Sequence, residues 1–159
     1  NDPYRVLTVD VATGAMAWIT PLDPRFSDIG PALRDDGTIL FWRQEFRDNK
    51  PVQSLMSMAA DGSGIAYLQE SATGPVASAD GTKVLFRAGS WRRLVVAPSH
   101  DVAAVTTVAA EPTEMIFDYD FSPDMTQVAK WRSSSLYDQV QVSRGRCRSV
   151  AQPPSVLFL

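Results

Sequence analysis

"SADGTKVLF", at residues 78–86, has a related stretch on each side of it in the chain. "RDDGTILFW" occupies residues 34–42, and "SPDMTQVAK" occupies residues 122–130. The aspartates of the three stretches are 44 residues apart in both intervals: Asp36, Asp80 and Asp124. A fixed period of this length is typical of proteins built from repeated supersecondary units. The sequence therefore predicts three copies of one structural unit.

Each of these aspartates begins a polar turn that leads into an apolar run. Gly37 and Gly81 follow the first two aspartates, and an Asp-Gly pair suits a tight hairpin because Gly accepts positive φ and Asp bonds nearby backbone N–H groups. Met125 replaces the glycine in the third copy, where a left-handed φ would cost more. The runs after the turns carry the β-branched and aromatic residues that strands favour, so they are predicted to be second strands of hairpins.

Further strands are predicted before and between these hairpins. Residues 115–121 form the clearest strand before a turn. "LMSMAADGSGIAYL", at residues 55–68, reads as a second hairpin that turns at its Asp-Gly pair. "YRVLTVDVATGAMAWIT", at residues 4–20, reads as another that turns around Asp10 to Gly14. Each repeat is therefore predicted to hold about four short strands.

The pattern of the whole chain favours an all-β class. No segment longer than about ten residues keeps a helical period, and eleven prolines and nine glycines punctuate the sequence. Four short strands in about 40–45 residues match the blade of a β-propeller. A β-sandwich is the alternative, although its strands show no such repeat.

Composition and charge narrow the classes of partner. The 159 residues are 45% hydrophobic, which is ordinary for one globular domain. The net charge of −3 predicts no binding to nucleic acid. No apolar stretch approaches the roughly 18 residues of a membrane span, and the first residues do not resemble a signal peptide. The single cysteine, Cys147, has no second thiol for an internal disulfide or a zinc cluster.

Two of the repeats resemble a known signature. "SADGTKVLF" and "SPDMTQVAK" are similar to the Ser-Pro-Asp-Gly-x-x-apolar-Ala-Phe pattern of TolB-like, or WD-repeat-like, β-propellers. "SMAADGSG", at residues 57–64, resembles the turn between the outer two strands of their blades. The resemblance extends as a pattern over residues 4–151. It implies a propeller fold, binding of proteins or peptides, and a periplasmic or extracellular location in bacteria, but it implies no substrate.

The resemblance also allows the blades to be counted within one partial propeller domain, residues 1–159. About three complete four-stranded blades are expected, with a half blade before them and the start of another after them. Propellers have about four to eight blades, and closure protects their sheet edges. The chain is therefore expected to be part of a larger propeller, completed by further chain or by another subunit. The expected boundaries are 4–20 for the half blade, 27–70, 72–111 and 113–151 for the blades, and 153–159 for the next.

The sequence contains no convincing catalytic centre. "PSHD", at residues 98–101, holds Ser, His and Asp, but neighbouring residues of an extended segment point in alternating directions and cannot form a triad. There is no nucleophile elbow, phosphate loop or dinucleotide fingerprint, and one histidine cannot supply a multi-histidine metal site. We therefore predict no catalytic residue, no cofactor and no metal site in this chain.

Two charged clusters favour structural roles. "DYDFSPD", at residues 118–124, groups carboxylates of the kind that calcium prefers, but it lacks the glycine and glutamate spacing of a calcium loop. Turn-forming and solvated aspartates are the preferred interpretation. "RGRCRSV", at residues 144–150, places arginines at alternate positions, hence on one side of a strand. An anionic partner is one interpretation, and a charged outer strand that discourages edge pairing is the preferred one.

Two loops are the better candidates for binding. "GSWRR", at residues 89–93, is expected to connect the second and third strands of its blade, and "QEFRDNKP", at residues 44–51, is expected to be the longer equivalent loop. Trp and Arg are enriched at interface hot spots. Packing of the tryptophan between blades is an equal alternative. The candidate partner-binding residues are Trp91, Arg92, Arg93, Phe46 and Arg47.

Two functions remain open at this point. The first is a non-catalytic scaffold for protein–protein or peptide binding. The second is the propeller portion of a larger enzyme, for example a hydrolase, whose catalytic domain lies outside these residues. A nucleophile elbow in flanking sequence would favour the enzyme, and a signal peptide with only further repeats would favour the scaffold.

Overall fold

The computed structural model describes residues 3–89, 91–111, 113, 115–134 and 137–144. Every regular element in these residues is a β-strand, and every strand pair within a sheet is antiparallel. Within that part of the chain, no helix has the length and apolar character that a membrane crossing needs. The predicted all-β class is confirmed.

The strands form one pair and three larger sheets. The pair, called the half blade here, joins β1 (Leu7–Val9) to β2 (Met16–Trp18). Blade 1 has the order β3 (Phe26–Leu33), β4 (Ile39–Arg47), β5 (Lys50–Met58), β6 (Ala66–Glu70). Blade 2 has the order β7 (Ala72–Ala77), β8 (Lys83–Ala88), β9 (Arg93–Pro98), β10 (Thr106–Ala110). Blade 3 shows β11 (Met115–Phe121), β12 (Gln127–Ser134) and β13 (Tyr137–Arg144), while residues 145–159, with the expected next strand, lie outside the described residues.

The three repeated turns share one hydrogen-bond pattern. In the central copy, Gly81 donates its backbone N–H to the carbonyl of Ser78 at 2.9 Å, and Asp80 Oδ1 accepts from the backbone N–H of Thr82 at 3.0 Å. Hydrogen bonds from the Ser78 hydroxyl, and then from Thr82, hold the pKa of Asp80 below its ordinary value of 3.8. The other two turns repeat the backbone bond and the aspartate bond. The 44-residue period is therefore a period of turns that share these two hydrogen bonds.

The third turn keeps the left-handed backbone without its glycine. Met125 has a φ of +55°, against +80° at Gly37 and +67° at Gly81. Because a Cβ crowds the carbonyl oxygen in this region, a non-glycine residue costs about 1–2 kcal/mol there. The hydrogen bonds of this turn are the same as in the other two copies, and they offset that cost.

Replacing Met125 with Gly should raise the free energy of unfolding by about 0.5–1 kcal/mol. The substitution removes the Cβ from a left-handed residue, and the gain is partly offset by the greater freedom of Gly in the unfolded chain. Urea denaturation measures the difference, and Gly81→Met serves as the reciprocal variant, which should be destabilised. A less stable Met125→Gly protein would contradict this account of the turn.

The predicted loop at residues 44–51 is instead a tight hairpin, so that prediction is wrong. Strand β4 continues to Arg47 and β5 starts at Lys50. Only Asp48 and Asn49 form the turn, and both have positive φ, at +50° and +59°. Two successive left-handed residues make the turn whose twist matches that of the flanking strands, and Asp and Asn tolerate this conformation.

Apolar seams between consecutive sheets make up the core. Side chains alternate along β8: Val84 and Phe86 pack with Leu40 and Leu55 of blade 1, whereas Leu85 packs with Ile116 of blade 3. A third buried cluster joins the half blade to blade 1, through Val6, Ile39, Phe41, Met56 and Met58. A sheet that lies between two others is thus packed against a neighbour on each of its faces. Successive blades of a propeller pack in this way.

Candidate functional site

All connections between strands lie at one of two ends of the sheets, because each strand reverses the direction of the one before it. One end, called the connection face, carries the β4–β5 and β8–β9 tips and the links from each blade to the next, at residues 46–51, 70–72, 89–93 and 110–116. The opposite end, called the turn face, carries the three repeated turns. Both loops with predicted binding residues lie on the connection face.

Backbone hydrogen bonds tie the connection face together. Gly89 donates to the carbonyl of Ser71 at 2.6 Å, and Ser71 donates to that of Gln53 at 2.7 Å. Ile116 donates to the carbonyl of Trp91 at 2.7 Å. These bonds join the β8–β9 tip to the link between blades 1 and 2 and to the start of β11, and they join that link to β5.

A cavity of about 230 Å³ opens on this face between blades 1 and 2. Nine residues line it: Pro51, Val52, Gln53, Glu70, Ser71, Thr73, Arg87, Gly89 and Trp91. The lining is mainly polar. Sites for drug-sized ligands have volumes of about 300–1,000 Å³, so this cavity suits a group the size of one side chain.

Trp91 is half-buried beside this cavity. The guanidinium of Arg87 lies 3.9 Å from the centroid of its ring, and the ring of Phe117 in blade 3 lies 6.2 Å away at a tilt of 58°. Trp91 therefore packs between blades 2 and 3 and also borders the cavity. Its contact with a partner stays a prediction.

The other predicted residues divide between two surfaces. Phe46 is 65% exposed, and Pro51, its partner across the hairpin, lines the cavity beside Trp91. Arg92, in the adjoining loop, and Arg93, the first residue of β9, are both exposed. Arg47 instead forms an ion pair with Glu45 and borders a separate cavity of about 360 Å³ on blade 1. Of the five predicted residues, Trp91 lines the first cavity, Phe46, Arg92 and Arg93 lie elsewhere on the same face, and Arg47 borders the second cavity.

Arg87 is the residue at this site that sequence reasoning missed. It is one of the residues that line the cavity, yet it is only 6% exposed. Nη1 donates to the carbonyls of Ile116 at 3.1 Å and Phe117 at 3.5 Å, whereas the buried Nε has no hydrogen-bond partner in the described part of the chain. Burial lowers the pKa of Arg87, against the opposing effects of Tyr119 and Asp118.

Tyr119 and Gly74 hold Arg87 in place. The Tyr119 hydroxyl donates to the carbonyls of Thr73, at 3.0 Å, and Gly74. Burial raises the pKa of Tyr119 to about 12, so the phenol remains a neutral donor. Gly74 has a φ of +62°, and it begins a Gly-Pro pair that repeats Gly30-Pro31 exactly one period later. In both inner strands, β3 and β7, the Gly-Pro pair lies where the pairing register with the next strand shifts. This repeated pair is the sequence feature that could have drawn attention to the surroundings of Arg87.

No residue of the charged and catalytic-looking stretches is among the nine that line this cavity. Ser99 and His100 follow β9 at the turn face, where Asp101 accepts a hydrogen bond from the backbone of Ala103. Asp118 and Asp120 each accept from the next residue's backbone N–H. Among the described residues, no group of three or more His, Cys, Asp and Glu side chains could hold a metal ion. Of the alternating arginines, Arg146 and Arg148 lie outside the described residues.

Comparison with known proteins identifies similar folds and no close relative. No protein-family model matches the sequence, and no curated protein matches it. A structure of TolB from Acinetobacter baumannii has a TM-score of 0.68 and 15% identity, over 89% of this chain and 35% of that one. A chain in a nidogen–laminin complex has a TM-score of 0.69 and 11% identity, over 90% and 55%. The S511A mutant of puromycin hydrolase has a TM-score of 0.63 and 17% identity, over 87% and 26%.

These similarities concern the fold alone, because the identities are low. The chain spans between about a quarter and just over half of the length of the three proteins. Four-stranded antiparallel sheets stacked through apolar seams agree with this fold and with the resemblance of the turns. The chain therefore has the fold of a TolB-like β-propeller, over part of the length that such proteins have.

Proposed function

We propose that this chain is a non-catalytic scaffold that binds a protein or peptide through its connection face. The observation that carries the proposal is the placement of Trp91, Phe46, Arg92 and Arg93 on one face, where Trp91 also lines a polar cavity. Aromatic and arginine side chains are the types most enriched at binding hot spots. The backbone bonds across the face reduce the ordering that binding would require.

The similar folds support a binding role without naming a partner. The chain resembled in the nidogen–laminin structure belongs to a complex between proteins. Propeller folds of this kind carry unrelated functions, so the site must carry the argument. The site here offers contact area and positive charge, and its described residues hold no nucleophile–base pair.

Peptides selected from a random display library against the full chain should lose at least tenfold in affinity with Trp91→Ala. A hot-spot residue contributes about 2 kcal/mol or more, which corresponds to a factor of about 30. Phe46→Ala should weaken the same peptides, and isothermal titration calorimetry measures both effects. Lys83→Ala, an exposed residue at the turn face, is the matched control and should leave binding unchanged.

Stability measurements separate binding from packing. Phe46→Ala should change the free energy of unfolding by about 0.5 kcal/mol or less, because its side chain is largely exposed. A loss of about 3–5 kcal/mol in Trp91→Ala would identify an emptied core site and would contradict the interface proposal. Peptides that bind all variants equally would contradict it as well.

The second candidate is the propeller portion of a larger enzyme. The similarity to puromycin hydrolase favours it, because this chain matches only 26% of that protein's length. The full reading frame distinguishes the two functions. A strand–Gly-x-Ser-x-Gly–helix segment in flanking sequence, with hydrolysis abolished by Ser→Ala there, would establish the enzyme.

We also propose that further strands, from the same polypeptide or another subunit, complete the propeller. The half blade supports this, because its outer residues Val9, Met16 and Trp18 are 53%, 75% and 58% exposed. Exposed strand edges with apolar side chains attract other strands. Expressed as residues 1–159, the chain should sediment as an oligomer or aggregate, and a cooperative monomer would contradict this proposal.

We also propose that this protein is located in the periplasm or outside the cell. It is supported only by the TolB-like character of the repeats and of the fold. Fractionation of the source cells with an antibody against this chain tests it. Recovery in the cytoplasmic fraction would refute the proposal.

A further inference from the structure

We infer that the cavity of about 360 Å³ on blade 1 binds an aromatic side chain of the peptide partner. This inference rests on the proposed binding function and adds the chemistry of the partner. It gives a role to Arg47, which borders this cavity and not the one beside Trp91. Three observations carry it: guanidinium groups that are already paired, an aromatic and apolar lining, and large side chains where the next seam has alanines.

Three guanidinium groups line the cavity, and each already has a carboxylate partner. The pairs are Arg25–Asp23, Arg43–Asp28 and Arg47–Glu45. A ligand therefore need not bring negative charge to this cavity. The hydrogen bonds of such a pair lie in the plane of the guanidinium group, so its faces remain available for stacking on an aromatic ring.

The chain already combines both contacts at Arg43. Its Nε and Nη2 donate to the carboxylate of Asp28, and its guanidinium lies 3.8 Å from the centroid of the Phe26 ring. Arg47 has an ion pair but, in the part of the chain that the structure describes, no ring over its guanidinium. Its side chain is 56% exposed, so a ligand can reach it. A ring from a partner would complete at Arg47 the arrangement found at Arg43.

Aromatic and apolar side chains supply further contact surface in the cavity. Tyr67 lines it from β6 and is 55% exposed, so its ring is accessible. Met56, the cross-strand partner of Tyr67, and Phe26 line it as well. The volume lies at the lower end of the range for ligand sites, about 300–1,000 Å³, which suits one large side chain. Aromatic side chains that fill such pockets are frequent anchors of protein interfaces.

A comparison of two seams indicates that strands completing the propeller would leave this cavity open. Arg43 lies two residues after Phe41, on the face of blade 1 that packs on the half blade, and its cross-strand partner is Asp28. The same register positions of blade 2 hold Ala72 and Ala88, which are 0% and 1% exposed in the seam with blade 1. Two methyl groups allow sheets to pack closely, whereas a guanidinium and its carboxylate hold a neighbouring sheet further away. The occupant is therefore a side chain of a partner.

The test is a titration of the full chain with N-acetyl-phenylalaninamide, followed by NMR of arginine side chains. N-acetyl-cyclohexylalaninamide is the matched probe, because its ring has a similar size but no π system. The side-chain signals of Arg47 should move upfield with the aromatic probe only, since stacking places them in the shielding region of its ring. The aromatic probe should also bind about threefold more tightly or better. Equal affinity of the two probes, or stationary Arg47 signals, would overturn the inference.

Variants at the rim distinguish stacking from charge and from packing. Arg47→Met removes the cation and should abolish the preference for the aromatic probe. Lys50→Met is the matched control, because Lys50 is the cross-strand partner of Arg47 but is not among the lining residues, so the same loss of charge should leave binding unchanged. Tyr67→Ala should weaken both probes. A preference that persists in Arg47→Met, or an equal loss in Lys50→Met, would overturn the stacking assignment.

The outcomes also separate this inference from the scaffold proposal. Display-selected peptides that depend on Trp91 but are indifferent to Arg47→Met and Tyr67→Ala would leave the scaffold in place and remove the aromatic site. An upfield shift at Arg47 with the aromatic probe, with no effect of Trp91→Ala or Phe46→Ala on any selected peptide, would leave the aromatic site and remove the interface at Trp91.

Discussion

Replacing Asp28 with Ala is expected to lower the free energy of unfolding by about 3–5 kcal/mol, measured by urea denaturation. The Asp28 side chain is 1% exposed and accepts two hydrogen bonds from Arg43, at 2.6 Å from Nε and 2.9 Å from Nη2. Arg43 is itself largely buried and lies 3.8 Å from the centroid of the Phe26 ring. Removing the carboxylate leaves that guanidinium without its partner, and an unpaired buried charge is strongly destabilising.

The double variant Asp28→Ala with Arg43→Met is the control. Replacing both members of a buried ion pair by apolar groups is often neutral, because the desolvation penalty of the charges disappears with their attraction. Most of the stability lost in the single variant should therefore return. A single variant that loses less than about 1 kcal/mol would show that solvent reaches Arg43 and that the pair is not a buried one.

Gly74→Ala is expected to cost about 3 kcal/mol of folding stability. A Cβ at this position would lie 2.6 Å from the Tyr119 hydroxyl oxygen and 3.0 Å from Arg87 Nη2, on a residue whose φ is +62°. The left-handed backbone alone costs a non-glycine residue about 1–2 kcal/mol, and displacing packed neighbours adds about 1–3 kcal/mol. Tyr119 would also lose its hydrogen bond to Thr73, so thermal and urea unfolding should both shift.

Gly37→Ala is the matched control for Gly74→Ala. Gly37 has a φ of +80°, but an added Cβ would meet nothing within 4 Å. Gly37→Ala should therefore lower folding stability only by the cost of a left-handed backbone at a non-glycine residue, about 1–2 kcal/mol. Equal losses in the two variants would mean that Tyr119 yields freely to the added methyl group, which would contradict its role in holding Arg87.

The strands and turns of the fold were largely predictable because they depend on local chemistry. Asp-Gly pairs predicted the turns at Asp36 and Asp80, and the apolar and aromatic residues within 115–121 predicted β11, which runs from Met115 to Phe121. The left-handed φ at Gly81 is observed as expected. The tight hairpin within residues 44–51 was not predicted, because Asp48-Asn49 was interpreted as part of a longer loop although both residues readily adopt positive φ in a two-residue hairpin.

The candidate site was only partly predictable. The sequence drew attention to Trp91 and Phe46 as exposed aromatic residues beside arginines. It did not indicate that Trp91 packs on Arg87, or that Arg47 pairs with Glu45 away from the cavity. The Gly-Pro pair at Gly74 was visible in the repeat, but its partners come from β8 and β11.

The sequence by itself determined the period, the turn chemistry and the all-β class, since each of these follows from residues within a few positions of one another. Only the tertiary structure decided which arginine is buried with no carboxylate paired to it in the described residues. Arg43 and Arg87 both lie in second strands, yet Arg43 meets Asp28, whereas Arg87 meets the backbone of Ile116, 29 residues further along the chain. Burial and pairing depend on which sheets stack, and stacking brings together residues that no local pattern connects.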